Sequence, residues 1–247
     1  MIKENFIKTL TTCLMLLTFS GCANFQSTPS NTSVEPRVET VLTEEERDSL
    51  TPDEILNYLK LGNQRFVSGT LTVRDHSQQV RDAATGQFPK AIVLSCVDSR
   101  VPVEDVFDRG IGDLFVARVA GNFENTDILG SMEFACKVTG SKLILVLGHE
   151  YCGAIKGAID NVELGNITAM LKNIQPAIKQ VDVTGFTGNK TSENEAYVHE
   201  VAEQNIWETM DNIRKYSPIL EAMEDNKEIK IVGGMYDMNT GKVTFME

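Results

Sequence analysis

The sequence predicts an α/β fold with a mainly parallel central sheet flanked by helices. Three observations carry that prediction. Four short apolar runs read as strands buried on both faces: AIVLS at 91–95, LFVARV at 114–119, KLILVLG at 142–148 and IKIVGGMY at 229–236. Segments with helical spacing of apolar residues lie between them, an alternation that suits parallel strands joined by helical crossovers. No internal repeat and no second domain interrupt the pattern, so residues 46–247 are expected to form one domain.

The elements follow in order. TPDE at 51–54 is a capping box, with Thr51 as cap, Pro52 at the first helical position and Glu54 reaching back; the helix EILNYLKLGNQRF follows it. A second helix is expected at about 77–85, ending near Gly86. Helices are then expected at 125–138, 152–160, 167–180 and 194–214, the last opened by a capping box of Ser192 and Glu195. MNTG at 238–241 is a turn into a short final strand, VTFM.

The net charge of −12 leaves no basic patch for a phosphate backbone, so nucleic acid is not expected as a partner. The first 21 residues read as a leader: Lys3 and Lys8 precede an apolar stretch too short to span a membrane, which ends in FSGC at 19–22. Small residues directly before a cysteine resemble a bacterial lipobox. That resemblance implies that Cys22 is lipidated and that the protein is anchored to the outer membrane, facing the periplasm; an ordinary secretory signal cut nearby is the alternative. Residues 22–45, including a stretch rich in Ser, Thr, Asn, Pro and Glu, are expected to form a flexible tether. Of five cysteines, Cys13 leaves with the leader and Cys22 takes the lipid, so Cys96, Cys136 and Cys152 remain. An odd number suits a metal site better than a disulfide framework.

The first strand ends in LSCVDSRV at 94–101, and the third runs into HEYCG at 149–153. In open parallel sheets, ligands bind beyond the carboxyl ends of the strands. Two neighbouring strands would therefore deliver Cys96, His149 and Cys152 to one edge. Two thiolates and an imidazole are zinc ligands, and three protein ligands leave a fourth position open for chemistry. A closed structural zinc site or a pair of buried cysteines is the plainer alternative. Such a site has no use for Asp98 and Arg100, which alternate with Cys96 and would share its side of an extended chain.

SCVDSRVP together with GHEYCGA, GDLFVARVAGN and IVGGMYDMNTGKV resembles the β-class carbonic anhydrases, over a stretch from about residue 55 to the C-terminus. The resemblance implies one zinc per chain on Cys96, His149 and Cys152. It implies reversible hydration of carbon dioxide to bicarbonate and a proton, in a homodimer or a multiple of it, with active sites at the subunit interface. Asp98 is then expected to orient the reacting water, and Arg100 to grip both carboxylate oxygens and keep Asp98 off the metal. Gln87 matches a substrate-contacting glutamine, Phe115 an aromatic of the apolar pocket wall, and Gly153 a glycine beside the metal cysteine. Phe134 stands where plant-like members carry a pocket tyrosine. Val93 replaces a tryptophan used by some bacterial members for an inhibitory bicarbonate pocket, which implies the open, non-allosteric type; Arg118 and Tyr236 match the rest of that pocket. Two other readings stand beside this one: a hydrolase of a carbon dioxide analogue such as carbon disulfide on the same scaffold, and a non-catalytic zinc-binding or redox protein. Cys136, on an apolar helix face, is expected to be a buried small hydrophobe.

Overall fold

A computed structural model describes residues 40–247, which fall within one compact unit. The leader, Cys22 and most of the tether lie outside the described residues. The chain order is α1 (Glu44–Asp48), α2 (Pro52–Ser68), α3 (His76–Asp82), β1 (Ala91–Ser95), α4 (Val103–Val106), β2 (Leu114–Arg118) and α5 (Thr126–Glu133). A π-helical turn (Phe134–Val138) continues α5. Then come β3 (Leu143–His149), α6 (Gly153–Ile159), α7 (Gly165–Leu171), α8 (Gln175–Thr184), α9 (Glu195–Tyr216), α10 (Pro218–Asp225), β4 (Lys230–Tyr236) and β5 (Val243–Met246).

The five strands lie in the order β2-β1-β3-β4-β5. The first three pairings are parallel, and β5 returns antiparallel on β4. The central strands β1 and β3 are buried throughout, as their unbroken apolar sequences require. The run 114–119 departs from the expectation of two buried faces: β2 pairs only with β1, and its residues are half-buried or exposed. An edge strand has lost one neighbour, so an apolar sequence alone does not cover it.

Side chains alternate across the sheet into two apolar layers. On one face Ile92, Leu94, Ile144 and Val146 pack with residues of α8 and α9, such as Ala177, Val201 and Ile206. On the other, Ala91, Val93, Leu143 and Leu145 pack against Ile55, Leu56 and Leu59 of α2 and against Phe107. Each fully buried Leu, Ile or Val contributes about 1.5–3 kcal/mol. The TPDE capping box forms as expected, with the Thr51 N–H donating to Glu54 Oε2 at 2.8 Å. Gly62 sits inside α2, where glycine costs about 1 kcal/mol. A Cβ there would stand 1.9 Å from the Phe107 carbonyl oxygen, so α2 touches backbone at that point and only glycine fits.

Three expectations for the helices are corrected. The segment 167–180 is two helices, because Pro176 favours a fresh first turn and α8 starts at Gln175 with the proline in that turn. The last turn of the 125–138 segment is π-helical rather than α-helical. The Ser192–Glu195 capping box does not form: the Asn194 N–H closes a turn onto the Thr191 carbonyl at 3.1 Å, and α9 starts after Asn194 as its cap. The fold also has short helices that the periodicity did not announce, α1 among them, which begins two residues before the expected domain start.

Candidate metal centre

β1 and β3 are neighbours in register, with Ser95 opposite Leu147. The residues just past those positions therefore emerge together at the carboxyl edge of the sheet. Cys96 follows β1, His149 ends β3, and Cys152 caps α6 one short turn later. Their ligand atoms all lie within 4.8 Å of one another, and each residue is at most 4% exposed. The two sulfurs are 4.0 Å apart, close to the roughly 3.8 Å that two zinc–sulfur bonds of about 2.3 Å span at a tetrahedral angle.

The imidazole is oriented for the same purpose. His149 Nδ1 lies 2.8 Å from the Glu150 carbonyl oxygen, which can only accept, so Nδ1 carries the proton. Nε2 then presents a lone pair, and it is buried without a hydrogen-bond partner. An orphaned buried nitrogen is costly unless a cation completes it. The thiols respond to each other as one pair. The Cys152 S–H beside it and the Gly121 N–H pull the Cys96 thiol down to about 4 against the cost of burial. Cys152, next to that thiolate and buried, is pushed up. A metal-free site thus holds one negative charge readily and resists a second, which only a divalent cation would make favourable. The donor set fits zinc: soft sulfur, one neutral imidazole and a buried pocket.

Asp98 and Arg100 do not reach the site along an extended strand. β1 ends at Ser95, and residues 98–100 turn, with the Arg100 N–H donating to Asp98 Oδ1 at 2.9 Å. This Asx turn, rather than strand alternation, sets their relation. The guanidinium grips both carboxylate oxygens, Nε to Oδ1 at 2.9 Å and Nη2 to Oδ2 at 2.8 Å. Those bonds hold the Asp98 carboxyl down at about 2. Asp98 Oδ2 is 3.8 Å from His149 Nε2, so the carboxylate flanks the three ligands while Arg100 holds it.

The other carried-over positions separate. Gly153 opens α6 beside Cys152, with open space where a Cβ would point. Gln87 is exposed in the connection entering β1, at the opposite end of the strand from Cys96. Phe115 is aligned with Ile92, four residues upstream of Cys96, or roughly 13 Å along the strand. It meets Phe134 edge to face at 6.3 Å between ring centres, and both line a cavity of about 740 Å³ at the β2 edge. Val93 and Tyr236 belong to the apolar layer on the α2 face. Arg118 donates to the Cys96 carbonyl at 2.8 Å and the Val101 carbonyl at 2.7 Å, which clamps the loop carrying Asp98 and Arg100. That clamp had no local sequence signal. The Gly121 N–H, 3.4 Å from Cys96 Sγ, was also missed, although Gly-Asn after a strand is a turn signal.

Residues 91–243 match the carbonic anhydrase family. The chain belongs to that family, and its fold is that of the β-class. Carbonic anhydrase 2 of Mycobacterium tuberculosis is 32% identical over 190 residues, covering 76% of this chain and 90% of the relative. A carbonic anhydrase of Mycolicibacterium smegmatis is 33% identical over 186 residues, covering 75% and 88%. Among solved structures, the β-carbonic anhydrase CafA of Aspergillus fumigatus superposes with a TM-score of 0.61 at 24% identity, over 79% of this chain and 90% of that one. A tetrameric β-carbonic anhydrase of Sordaria macrospora gives a TM-score of 0.60 at 20% identity, over 78% and 96%. The protein is a zinc-dependent carbonic anhydrase, an enzyme of reversible carbon dioxide hydration.

Proposed function

We propose that Cys96, His149 and Cys152 hold the zinc and that Asp98 and Arg100 run the open position beside it. The observation that carries this is the bidentate Asp98–Arg100 pair standing 3.8 Å from an orphaned His149 Nε2. Zinc supplies an acidified water as nucleophile. Asp98, kept ionised by Arg100, would orient a water in the open position by accepting its hydrogen bond at Oδ2. Arg100 keeps the carboxylate from taking the open position as a ligand. The test is carbon dioxide hydration by stopped flow with zinc quantified, on the native protein and on Arg100→Ala. Hydration at the native rate by the variant removes Asp98 and Arg100 from the mechanism.

Gln87, Phe115 and Phe134 lie away from the metal ligands of their own chain. We infer that they serve the metal centre of a second copy, in a homodimer or a multiple of it. The half-buried β2 edge and the cavity walled by Phe115 and Phe134 support this reading. Mixing Phe115→Ala chains with Cys96→Ser chains tests it: hybrid dimers would regain up to about one intact site, whereas independent subunits would gain nothing. We further propose export as a lipoprotein beginning at Cys22, anchored at the outer membrane. Mass spectrometry of the mature N-terminus decides that, and a soluble product without acyl chains overturns it.

A further inference from the structure

The loop after β2 touches the metal centre through its backbone. Gly121 adopts φ +90°, and in that conformation its N–H meets Cys96 Sγ at 3.4 Å. The next residue, Asn122, is also left-handed at φ +41°. Glycine takes that conformation freely, whereas Asn122 takes it at some cost and is helped by neighbours that hold it. The grip comes from α9. Asn205 Nδ2 donates to the Gly121 carbonyl at 2.9 Å, and Thr209 Oγ1, one turn on, approaches the Asn122 carbonyl at 3.5 Å. Both side chains are at most 2% exposed, so neither bond competes with solvent. Room is short on the other side too. A Cβ on Gly121 would stand 2.7 Å from Ile174 Cδ1 and 3.4 Å from Ala154 Cβ, and Ala154 belongs to the first turn of α6, just past Cys152.

We propose that Asn205 is a positioning residue for the metal centre: by holding the Gly121 carbonyl, it keeps the Gly121 N–H on the sulfur of Cys96. This rests on the reading that Cys96 is a zinc ligand. An N–H donor to a ligating thiolate draws charge from the sulfur and fixes its direction. Such supports typically change metal affinity about 10–100-fold. The sequence hides the link, since Asn205 is 84 residues from Gly121 and bonds to its backbone carbonyl.

The test uses cadmium-substituted full-length protein, in which a scalar coupling from cadmium to an amide proton reports an N–H···S bond directly. In the native protein the Gly121 amide proton and the Cys96 Hβ protons should both couple to cadmium. In Asn205→Leu the Cys96 coupling should persist and the Gly121 coupling should vanish, with zinc released about 10–100-fold faster to a chelator. Asn205→Gln, which keeps an amide donor, should recover part of both. A native Gly121 amide without coupling, while Cys96 couples, overturns the proposal and leaves the zinc site standing; this arm needs no variant to fold. Loss of both couplings in the native protein overturns the ligand assignment as well. A folded Asn205→Leu variant with native coupling and native zinc release also overturns the proposal.

Discussion

Cys96 and Cys136 are nearly equally buried, at 4% and 2% exposure, yet their thiols move in opposite directions. Cys136 sits in the π-helical turn after α5 among apolar neighbours, and burial alone pushes its thiol up to about 12. Cys96 sits at the end of β1 with Cys152, His149 and the Gly121 N–H around its sulfur, and it is pulled down to about 4. Burial withholds solvent from both; what differs is whether the fold supplies hydrogen-bond donors in exchange. Two carboxylates, one buried and one half-buried, repeat the contrast. Burial works against ionisation of Asp108, which is fully buried, but Arg65, Arg74 and Thr72 outweigh it and hold the carboxyl at about 2. Glu124, half-buried beside Glu208 and with Asn212 as its side-chain partner, is raised by burial to about 7. Charge is thus provided for where donors or cations converge on a buried group, as at Cys96 and Asp108, and not where burial acts nearly alone, as at Cys136 and Glu124.

The sharpest way to break this comparison is to exchange sulfur for oxygen at each place. Cys96→Ser or Cys152→Ser should abolish zinc binding and hydration. Cys136→Ser should retain full zinc and lose only about 1–3 kcal/mol of stability, for a buried hydroxyl without a partner. Metal analysis and thermal melting of the three variants check it, and zinc loss in Cys136→Ser would put that cysteine in the site. Next in size, Arg100→Ala should leave zinc in place and slow hydration about 100–1,000-fold. Arg100→Lys should restore little, because an ammonium cannot grip both carboxylate oxygens.

Alkylation of the metal-free protein probes the thiols themselves. One thiol of the coupled Cys96–Cys152 pair should be carboxymethylated at lower pH than Cys136, which should resist until the protein unfolds; peptide mass mapping against pH reads both. The carboxylates give the smaller effects. The folded Asp108 carboxyl lies below its ordinary value, so its stabilisation is complete above about pH 4 and is lost as pH falls toward 2. Asp108→Asn should therefore cost about 2 kcal/mol near neutrality, and the difference in urea stability should close in that acid window. Glu124 has the opposite sign: raised in the folded state, it costs stability as pH climbs from about 4.5 to 7, and the cost is complete above that. Glu124→Gln should raise the Tm at about pH 8 and leave it unchanged at about pH 4.

The sequence by itself determined the strands, the parallel order of β1 and β3, and the meeting of Cys96, His149 and Cys152. Strand patterning is local, and a parallel pair in register must bring Cys96, just past Ser95, and His149, the last residue of β3, to one edge. The capping box at Thr51 was legible for the same reason, since all its partners lie within four residues. The tertiary structure alone decided the rest. It made β2 an edge strand, so Phe115 is half-buried and stands apart from Cys96. It replaced strand alternation by an Asx turn at Asp98, because a chain leaving a sheet no longer obeys the two-residue period. It also set Asn205 on the Gly121 carbonyl across 84 residues, Arg118 on the Cys96 carbonyl across 22, and Arg74 on Asp108 across 34. Such contacts join groups whose spacing along the chain carries no period, and only packing of the helices onto the sheet brings them within reach.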